Sequence, residues 1–195
     1  MLTLEWHRWG RSARVALILC ALAAGGCRSI SHGHDDLPNY QVVNPSLYRG
    51  GQPTREGFLH LKDMGIKTLV NLRSTQPDRE WLAQQGFAYE NRAMVALWPS
   101  EEDVIWFLRI AVDPQRAPVF VYCDYGADRS GLVVAMYRVV VEHWDRERAI
   151  QEMTDEDNGF LPILTNLSDF IRQADVDAIR TAVYDKSTRD SKAED

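Results

Sequence analysis

Cysteine is scarce in this chain, whose 195 residues include only three, at positions 20, 27 and 123. Cys20 and Cys27 fall in an N-terminal segment with the features of an export signal, so Cys123 is the only thiol of the predicted globular part. A structural disulfide within that part is therefore excluded. A lone thiol is a liability in an oxidising compartment unless it has a chemical role, which favours a catalytic function for Cys123.

Net positive charge is also lacking. The 22 Lys and Arg residues are outnumbered by 28 Asp and Glu residues, which gives a formal charge of −6. Removal of residues 1–27, with three Arg and one Glu, would leave 19 basic and 27 acidic side chains and a charge of −8. Because binding to nucleic acid depends on a basic surface, nucleic acid is not an expected partner.

The apolar run near the N-terminus, Val15 to Leu22, is too short to span a bilayer comfortably. It follows three arginines, at positions 8, 11 and 14, and precedes the small residues 23–26. A basic segment, a short apolar core and a small-residue cleavage site are typical of a secretory signal. We therefore predict that residues 1–27 form an export signal.

Cys27 directly follows Gly26 and resembles the lipidated Cys of the lipobox of bacterial lipoproteins, although Ala24 stands where the commonest pattern has Leu. The resemblance implies a lipid anchor at Cys27 and a location on the periplasmic side of a bacterial membrane. An ordinary secretory signal with an incidental Cys, or an uncleaved anchor, is the alternative.

The rest of the chain is predicted to be one domain with short extensions. Residues 28–40 are mostly small or polar without periodicity and are interpreted as a flexible tether; residues 41–183 form the domain, and residues 184–195 a disordered tail. The run His32 to Asp36 has metal-binding residue types, but such linkers are usually solvated, and we expect neither a metal nor a cofactor.

Strand and helix patterns alternate along the domain. Apolar runs and turn residues predict strands at 46–50, 67–73, 87–95 and 118–122, and helices at 54–64, 100–112, 129–144, 146–154, 166–174 and 176–183. Such alternation predicts an α/β fold with a mostly parallel central sheet flanked by helices. The helix from residue 129 is apolar on nearly every side and should be central and buried.

Residues 119–131 read VFVYCDYGADRSG, a short apolar strand that ends at Cys123 and continues as a helix near Arg129. Gly126 supplies the backbone freedom that a tight loop requires. A strand, a tight loop and a helix N-terminus direct several backbone N–H groups at one anion, which predicts a phosphate-binding loop with a nucleophile at its base.

Cys123 to Ser130 matches the Cys-x5-Arg-Ser/Thr signature of the cysteine-dependent protein tyrosine phosphatases, in the branch of compact dual-specificity enzymes. Four further stretches, at residues 47–53, 68–73, 135–138 and 174–177, resemble the same branch, notably its exported or periplasmic bacterial members. The resemblance implies that Cys123 attacks phosphorus and forms a phosphocysteine, that Arg129 binds phosphate, and that Ser130 donates to the sulfur. It also implies the phosphate-binding residues Asp124, Tyr125, Gly126, Ala127, Asp128 and Arg129.

The sequence departs from the family pattern at two functional positions. Tyr122 replaces the usual His before the nucleophile, so formation of the thiolate should depend more on the loop amides and on Arg129. The stretch from residue 92 to residue 100, where the family usually has an acidic general acid, contains no Asp or Glu. The preferred general acid is Asp128, because the sequence resembles phosphatases that draw the acid from the loop itself. The alternatives are Glu101 or Glu102, whose main role we interpret as helix capping, or a reaction without a general acid from the protein.

The expected substrate is a phosphorylated protein, carrying phosphotyrosine or phosphoserine/threonine. Relatives that favour phosphoinositides often have Lys at the position of Ala127, and Asp124 should repel highly anionic ligands. A phosphoinositide phosphatase and a non-catalytic phosphate-binding lipoprotein (a pseudophosphatase) are the alternatives. A rhodanese-like or arsenate-reducing enzyme would also use a Cys loop, but Arg129 and Ser130 favour a phosphatase.

Overall fold

The computed structural model describes residues 36–185. They contain one five-stranded sheet in the order β1-β2-β5-β3-β4. The strands are β1 (Gln41–Asn44), β2 (Leu47–Gly50), β3 (Thr68–Asn71), β4 (Ala88–Asn91) and β5 (Val119–Tyr122). Only the edge pair of β1 and β2 is antiparallel, whereas β2, β5, β3 and β4 run parallel. The predicted α/β fold with a mostly parallel sheet is thus confirmed.

Helices cover both faces of the sheet. They are α1 (Arg55–Asp63), α2 (Arg79–Gln84), α3 (Glu101–Ala111), α4 (Asp128–Val140), α5 (Arg146–Met153), α6 (Thr165–Gln173) and α7 (Val176–Tyr184). Helices α3 to α7 share one apolar core with the sheet face that carries Val119 and Val121. Helices α1 and α2 share the opposite core with Phe120 and Tyr122. Every residue of α4 except Arg129 is buried, which confirms its predicted central position.

Several element ends differ from the sequence prediction for local reasons. The strand predicted at 87–95 is shorter in the structure, Ala88–Asn91, and the Asn91 side chain at its end donates to the carbonyls of Asn71 and Arg73 at 2.9 Å each. The helix predicted to reach residue 144 ends at Val140, where the chain turns through His143 with φ of 58°. Strand β1, helix α2 and a 3₁₀ turn at residues 156–158 were not predicted.

The end of the predicted tether is in contact with the domain where the structure describes it. Leu37 is buried, the carbonyl of Pro38 accepts from the N–H of Gly51 at 2.7 Å, and the carbonyl of Asp36 accepts from the N–H of Thr54 at 3.1 Å. Thr54 in turn caps α1 as predicted, since its hydroxyl accepts from the N–H of Gly57 at 3.1 Å. The export signal, Cys27 and most of the tether and tail lie outside the described residues. Within 36–185, no helix has the length and apolarity needed to cross a bilayer.

Candidate active site

The site forms where three parallel strands end side by side. Gly50 of β2, Tyr122 of β5 and Asn71 of β3 are neighbours in the strand register. The residues that follow these strand ends therefore converge at one edge of the sheet, the usual ligand position in α/β folds. They include the loop from Cys123 to Arg129, Gln52 after β2, and Arg73 after β3.

Gly126 shapes the loop from Cys123 to Arg129, as its position in the sequence predicts. Its φ is +75°, and a Cβ atom there would lie 2.3 Å from the backbone nitrogen of Gly51 and 2.4 Å from the carbonyl carbon of Gly50. A side chain is thus excluded by both backbone conformation and space. The loop packs directly on the Gly50-Gly51 backbone, and the N–H of Gln52 donates to the carbonyl of Asp124 at 3.2 Å.

Cys123 lies at the base of the loop with only 2% of its surface exposed. The hydroxyl oxygen of Ser130 is 3.5 Å from the sulfur, where it is able to donate to a thiolate. Among residues 36–185, no acceptor receives a hydrogen bond from the backbone N–H groups of residues 124–129. Unpaired N–H groups at a helix N-terminus are the kind of donor that binds a phosphate, so these groups are available to an anion.

Arg129 is held beside the loop by an ion pair. Its Nη2 lies 2.5 Å from one carboxylate oxygen of Asp124, and Nε of Arg73 lies 2.5 Å from the other. Arg73 also donates to the side-chain oxygen of Gln52. Burial acts to raise the pKa of Asp124, but the hydrogen bonds and charges of Arg129 and Arg73 outweigh it, so that the pKa lies below its ordinary value. Asp124 is therefore an anion paired with both Arg129 and Arg73.

Tyr122, which replaces the usual His, points away from the thiol. Successive strand side chains face opposite sides of a sheet, and Tyr122 belongs to the core on the face of α1, whereas Cys123 belongs to the core on the face of α4. The Tyr122 ring packs edge-on against Phe58 at 5.8 Å. Burial, followed by the nearby hydroxyl of Tyr89 and a hydrogen bond to it, raises the pKa of Tyr122 well above its ordinary value. Tyr122 is thus a neutral core residue.

Asp128 stands at the first turn of α4 and is 8% exposed. One carboxylate oxygen accepts from the N–H of Leu161 at 3.0 Å, which connects the loop to the segment before α6. Asp128 also lines a pocket of about 780 Å³ with Asn39, Tyr125, Asp157, Asn158, Gly159 and Leu161. It therefore combines a bracing contact with access to the outer side of the loop.

Glu101 and Asp103, two of the three acids that follow Ser100, form contacts elsewhere, and Glu102 is exposed in the first turn of α3. The hydroxyl of Ser100 accepts from the N–H of Asp103 at 3.2 Å, which is the predicted cap of α3. Asp103 forms an ion pair with Arg92, and Glu101 accepts from the N–H of Asp175 at 3.4 Å. Glu101 is thus held at the start of α7.

One charged residue near the site was not singled out from the sequence. Arg49 of β2 is 1% exposed and lies below the first turn of α4, where a Cβ at Gly131 would be 3.4 Å from its Nη1. Its Nε donates to the side-chain oxygen of Gln41 at 2.8 Å. Gln41 in turn donates to Asn158, next to the pocket beside Asp128. The stretch 47–53 had pointed to the family but not to this role.

No group of three or more His, Cys, Asp or Glu side chains within 36–185 is arranged to hold a metal ion.

A family model described as "DSP-PTPase phosphatase fused to NAD+ Kinase" matches residues 31–169. Dual specificity protein phosphatase TpbA of Pseudomonas aeruginosa is 32% identical over 146 residues, which cover 74% of this chain and 66% of that protein. Inositol diphosphatase DSP5 of Arabidopsis thaliana is 26% identical over 125 residues, which cover 59% of this chain and 60% of the relative.

Solved structures agree with the sequence comparisons. The crystal structure of P. aeruginosa TpbA has a TM-score of 0.69 at 30% identity and covers 78% of this chain and 94% of that chain. A structure of a TpbA variant in complex with pTyr has a TM-score of 0.67 at 31% identity and covers 74% of this chain and 90% of that chain. Since the family match takes in the whole sheet and the loop of Cys123, this chain belongs to the family of DSP-type protein tyrosine phosphatases.

Proposed function

We propose that this chain hydrolyses phosphomonoesters through a phosphocysteine intermediate. The observation that carries the proposal is the loop itself, in which Cys123 lies below unpaired backbone N–H groups at the start of α4. An anion bound by those donors would have its phosphorus close to the sulfur. Preorganised donors around the equatorial oxygens stabilise the charge of the transition state.

The reaction proceeds in two displacements. The Cys123 thiolate attacks phosphorus, an S–P bond forms, and the P–O bond to the leaving group breaks while an acid protonates the leaving oxygen. Water then attacks the phosphocysteine, the S–P bond breaks, and inorganic phosphate and the thiolate are released. The Ser130 hydroxyl, 3.5 Å from the sulfur, stabilises the departing thiolate in the second step. Arg129 binds two phosphate oxygens when it exchanges part of its contact with Asp124 for the substrate.

Asp128 is the proposed general acid of the first step. It lies in the loop, whereas Glu101 is held at the start of α7 and Glu102 is exposed in the first turn of α3, where acids favour the helix N-terminus. A bound phosphate dianion favours the protonated form of a neighbouring carboxyl group, as an acid requires. The pH dependence of kcat/KM should lose its basic limb in Asp128→Asn but not in Glu101→Gln. Loss of that limb only in Glu101→Gln would assign the acid to α3.

The proposed substrate is a phosphorylated protein, with phosphotyrosine as the first candidate. The pTyr complex of TpbA, about a third identical to this chain, supports this choice. Charge supports it as well, because Asp128 and Asp157 line the pocket beside the loop and would repel a highly phosphorylated inositol. Tyr125, 73% exposed, offers an aromatic surface for a peptide. Turnover of inositol pyrophosphates at a higher kcat/KM than phosphotyrosyl peptides would reverse the assignment in favour of the inositol diphosphatase relatives.

Cys123→Ser provides the test of catalysis. The wild-type chain should hydrolyse an aryl phosphate, whereas Cys123→Ser should retain phosphate binding and lose turnover by at least about a thousandfold, because the hydroxyl is a much weaker nucleophile. A wild-type chain that binds phosphate without turnover would instead be the phosphate-binding lipoprotein considered as the alternative.

Export and lipidation at Cys27 complete the proposal. Support comes from the basic, apolar and small-residue order of residues 8–27. A lipid anchor would place the enzyme on the periplasmic side of a bacterial membrane, where it meets exported or envelope phosphoproteins. Full-length protein produced in bacteria should incorporate labelled palmitate, and Cys27→Ala should not. Equal labelling of both proteins, or none in either, would remove the anchor from the proposal.

A further inference from the structure

Arg49 is the most deeply buried charge near the site, and its position is fixed by the sheet. It pairs in register with Val121, two residues before Cys123 in the neighbouring strand. Alternation of side chains along parallel strands places Arg49, Val121 and Cys123 on the same face, that of α4. Leu47, two residues before Arg49, belongs to the core on this face, which agrees with the assignment.

The guanidinium of Arg49 has an unusual set of contacts. Its Nε donates to Gln41 at 2.8 Å, but its buried Nη2 has no hydrogen-bond partner among the described residues. A buried, unpaired guanidinium nitrogen is costly, and such groups in a folded protein call for an explanation. A Cβ atom at Gly131 would lie 3.4 Å from Nη1, an ordinary contact distance, so Arg49 packs directly against the first turn of α4.

We propose that Arg49 is a positioning residue that stabilises the thiolate of Cys123 from beneath the catalytic loop. The usual source of positive charge next to the nucleophile is missing, because Tyr122 replaces His and faces the other side of the sheet. Arg129 is paired with Asp124, which neutralises much of its field in the substrate-free state. A cation below the loop supplies that field independently of the substrate.

The electrostatic surroundings of Arg49 support this role. Burial lowers the pKa of Arg49 to about 10, while the charges of Glu152 and Cys123 act to raise it and that of Arg138 to lower it. Arg49 thus remains a cation at neutral pH and interacts favourably with a charged Cys123. The opposing charge is Glu152 of α5, which is also bonded to Arg138 at 2.8 Å. Glu152 and Arg138 are thus the charged side chains that act on Arg49 together with Cys123.

The inference rests on Cys123 being the nucleophile of the proposed function, but alkylation measures the thiol without any turnover. The full chain is treated with iodoacetamide at pH 6 and pH 10, and modification of Cys123 is followed by mass spectrometry of the tryptic peptide 117–129. That peptide separates Cys123 from Cys20 and Cys27. Because the thiolate is the reacting form, the ratio of the two rates reports the ease of ionisation.

Arg49→Met should lower the ratio of the alkylation rate at pH 6 to the rate at pH 10 about tenfold, because the thiolate loses one nearby positive charge. Arg49→Lys, which retains the charge, should keep the wild-type ratio. The control is Arg146→Met, which removes hydrogen bonds to the carbonyls of Ile171 and Ala174 at the end of α6 without changing charge near the loop. Its ratio should be that of the wild type. An unchanged ratio in Arg49→Met, or an equal fall in Arg49→Lys or Arg146→Met, would overturn the proposal.

Glu152→Gln gives a result of opposite sign and covers the case in which Arg49→Met does not fold. Loss of the opposing charge should accelerate alkylation at pH 6, while Arg138 keeps its bond to Glu142 at 2.7 Å. A purely structural Arg49 predicts no acceleration, and that outcome refutes the role. Failure of phosphatase turnover alongside the expected alkylation pattern would overturn the proposed function but leave this inference intact.

Discussion

Gly126→Ala tests whether the loop depends on its contact with the Gly50-Gly51 backbone. The new Cβ would lie 2.3 Å from the nitrogen of Gly51, whereas an ordinary contact is 3.4 Å or longer, so the loop has to move by about 1 Å. Ala at a left-handed φ costs about 1–2 kcal/mol, and overpacking against backbone adds about 1–3 kcal/mol. The free energy of unfolding should therefore fall by about 2–5 kcal/mol.

Gly65→Ala is the matched control, because Gly65 has a φ of +81° but no atom lies within 4 Å of the position that its Cβ would take. Gly65→Ala should lower the free energy of unfolding by only about 1–2 kcal/mol, the cost of the left-handed φ, and should leave kcat/KM unchanged. A displacement of about 1 Å in the loop of Gly126→Ala should lower kcat/KM about a hundredfold. Urea unfolding and aryl phosphate hydrolysis measure both effects. Equal stability loss and equal activity in the two variants would refute the packing argument.

Three further changes test other contacts of the site. Asp124→Asn should tighten inhibition by vanadate several-fold, since the carboxylate no longer competes for Arg129. The pKa of Asp124 is lowered in the folded state, so the wild type should be more stable than this variant by a full margin above the ordinary pKa of 3.8. That margin should vanish as the pH falls through the lowered pKa, and urea unfolding between pH 2 and pH 7 measures it. A constant advantage across that range would contradict the ion pair. Ser130→Ala should retain the burst of aryl alcohol in rapid-mixing experiments but slow steady turnover about tenfold or more, because the sulfur leaves the phosphocysteine less easily. Loss of the burst would instead place Ser130 in the first step. Tyr122→Phe should leave the pH dependence of Cys123 alkylation unchanged and should lower the free energy of unfolding by about 1 kcal/mol. An altered alkylation profile would mean that the Tyr122 hydroxyl acts on the thiol.

The catalytic loop was predictable because its chemistry lies within one contiguous segment. Cys123, Gly126, Arg129 and Ser130 are close in sequence, and a buried strand and an apolar helix flank them. The capping roles of Thr54 and Ser100 were predictable for the same reason, since a cap contacts the next three residues.

Contacts between distant segments could not be read in this way. The bond from Leu161 to Asp128 joins residues 33 positions apart, and Arg73 reaches Asp124 over 51 positions. The location of Arg49 below the loop depends on the register of β2 against β5, which no local pattern contains. Helix α2, with six residues, is too short for a helical period to identify it, and no residue of strand β1 is buried, so β1 lacks the buried apolar run that marks β3 and β5.

The burial of Cys123 beneath the loop also determines how the enzyme responds to oxidants. It is the only cysteine among the described residues, so no neighbouring thiol there can trap a sulfenic acid as a disulfide. Oxidation beyond the sulfenic state is irreversible for ordinary enzymes, and a thiolate is the susceptible form. Only 2% of Cys123 is exposed, so an oxidant has to enter through the phosphate-binding loop. A bound phosphate, which closes that route, should therefore protect the enzyme from inactivation by peroxide, and recovery of an oxidised enzyme would require an external thiol.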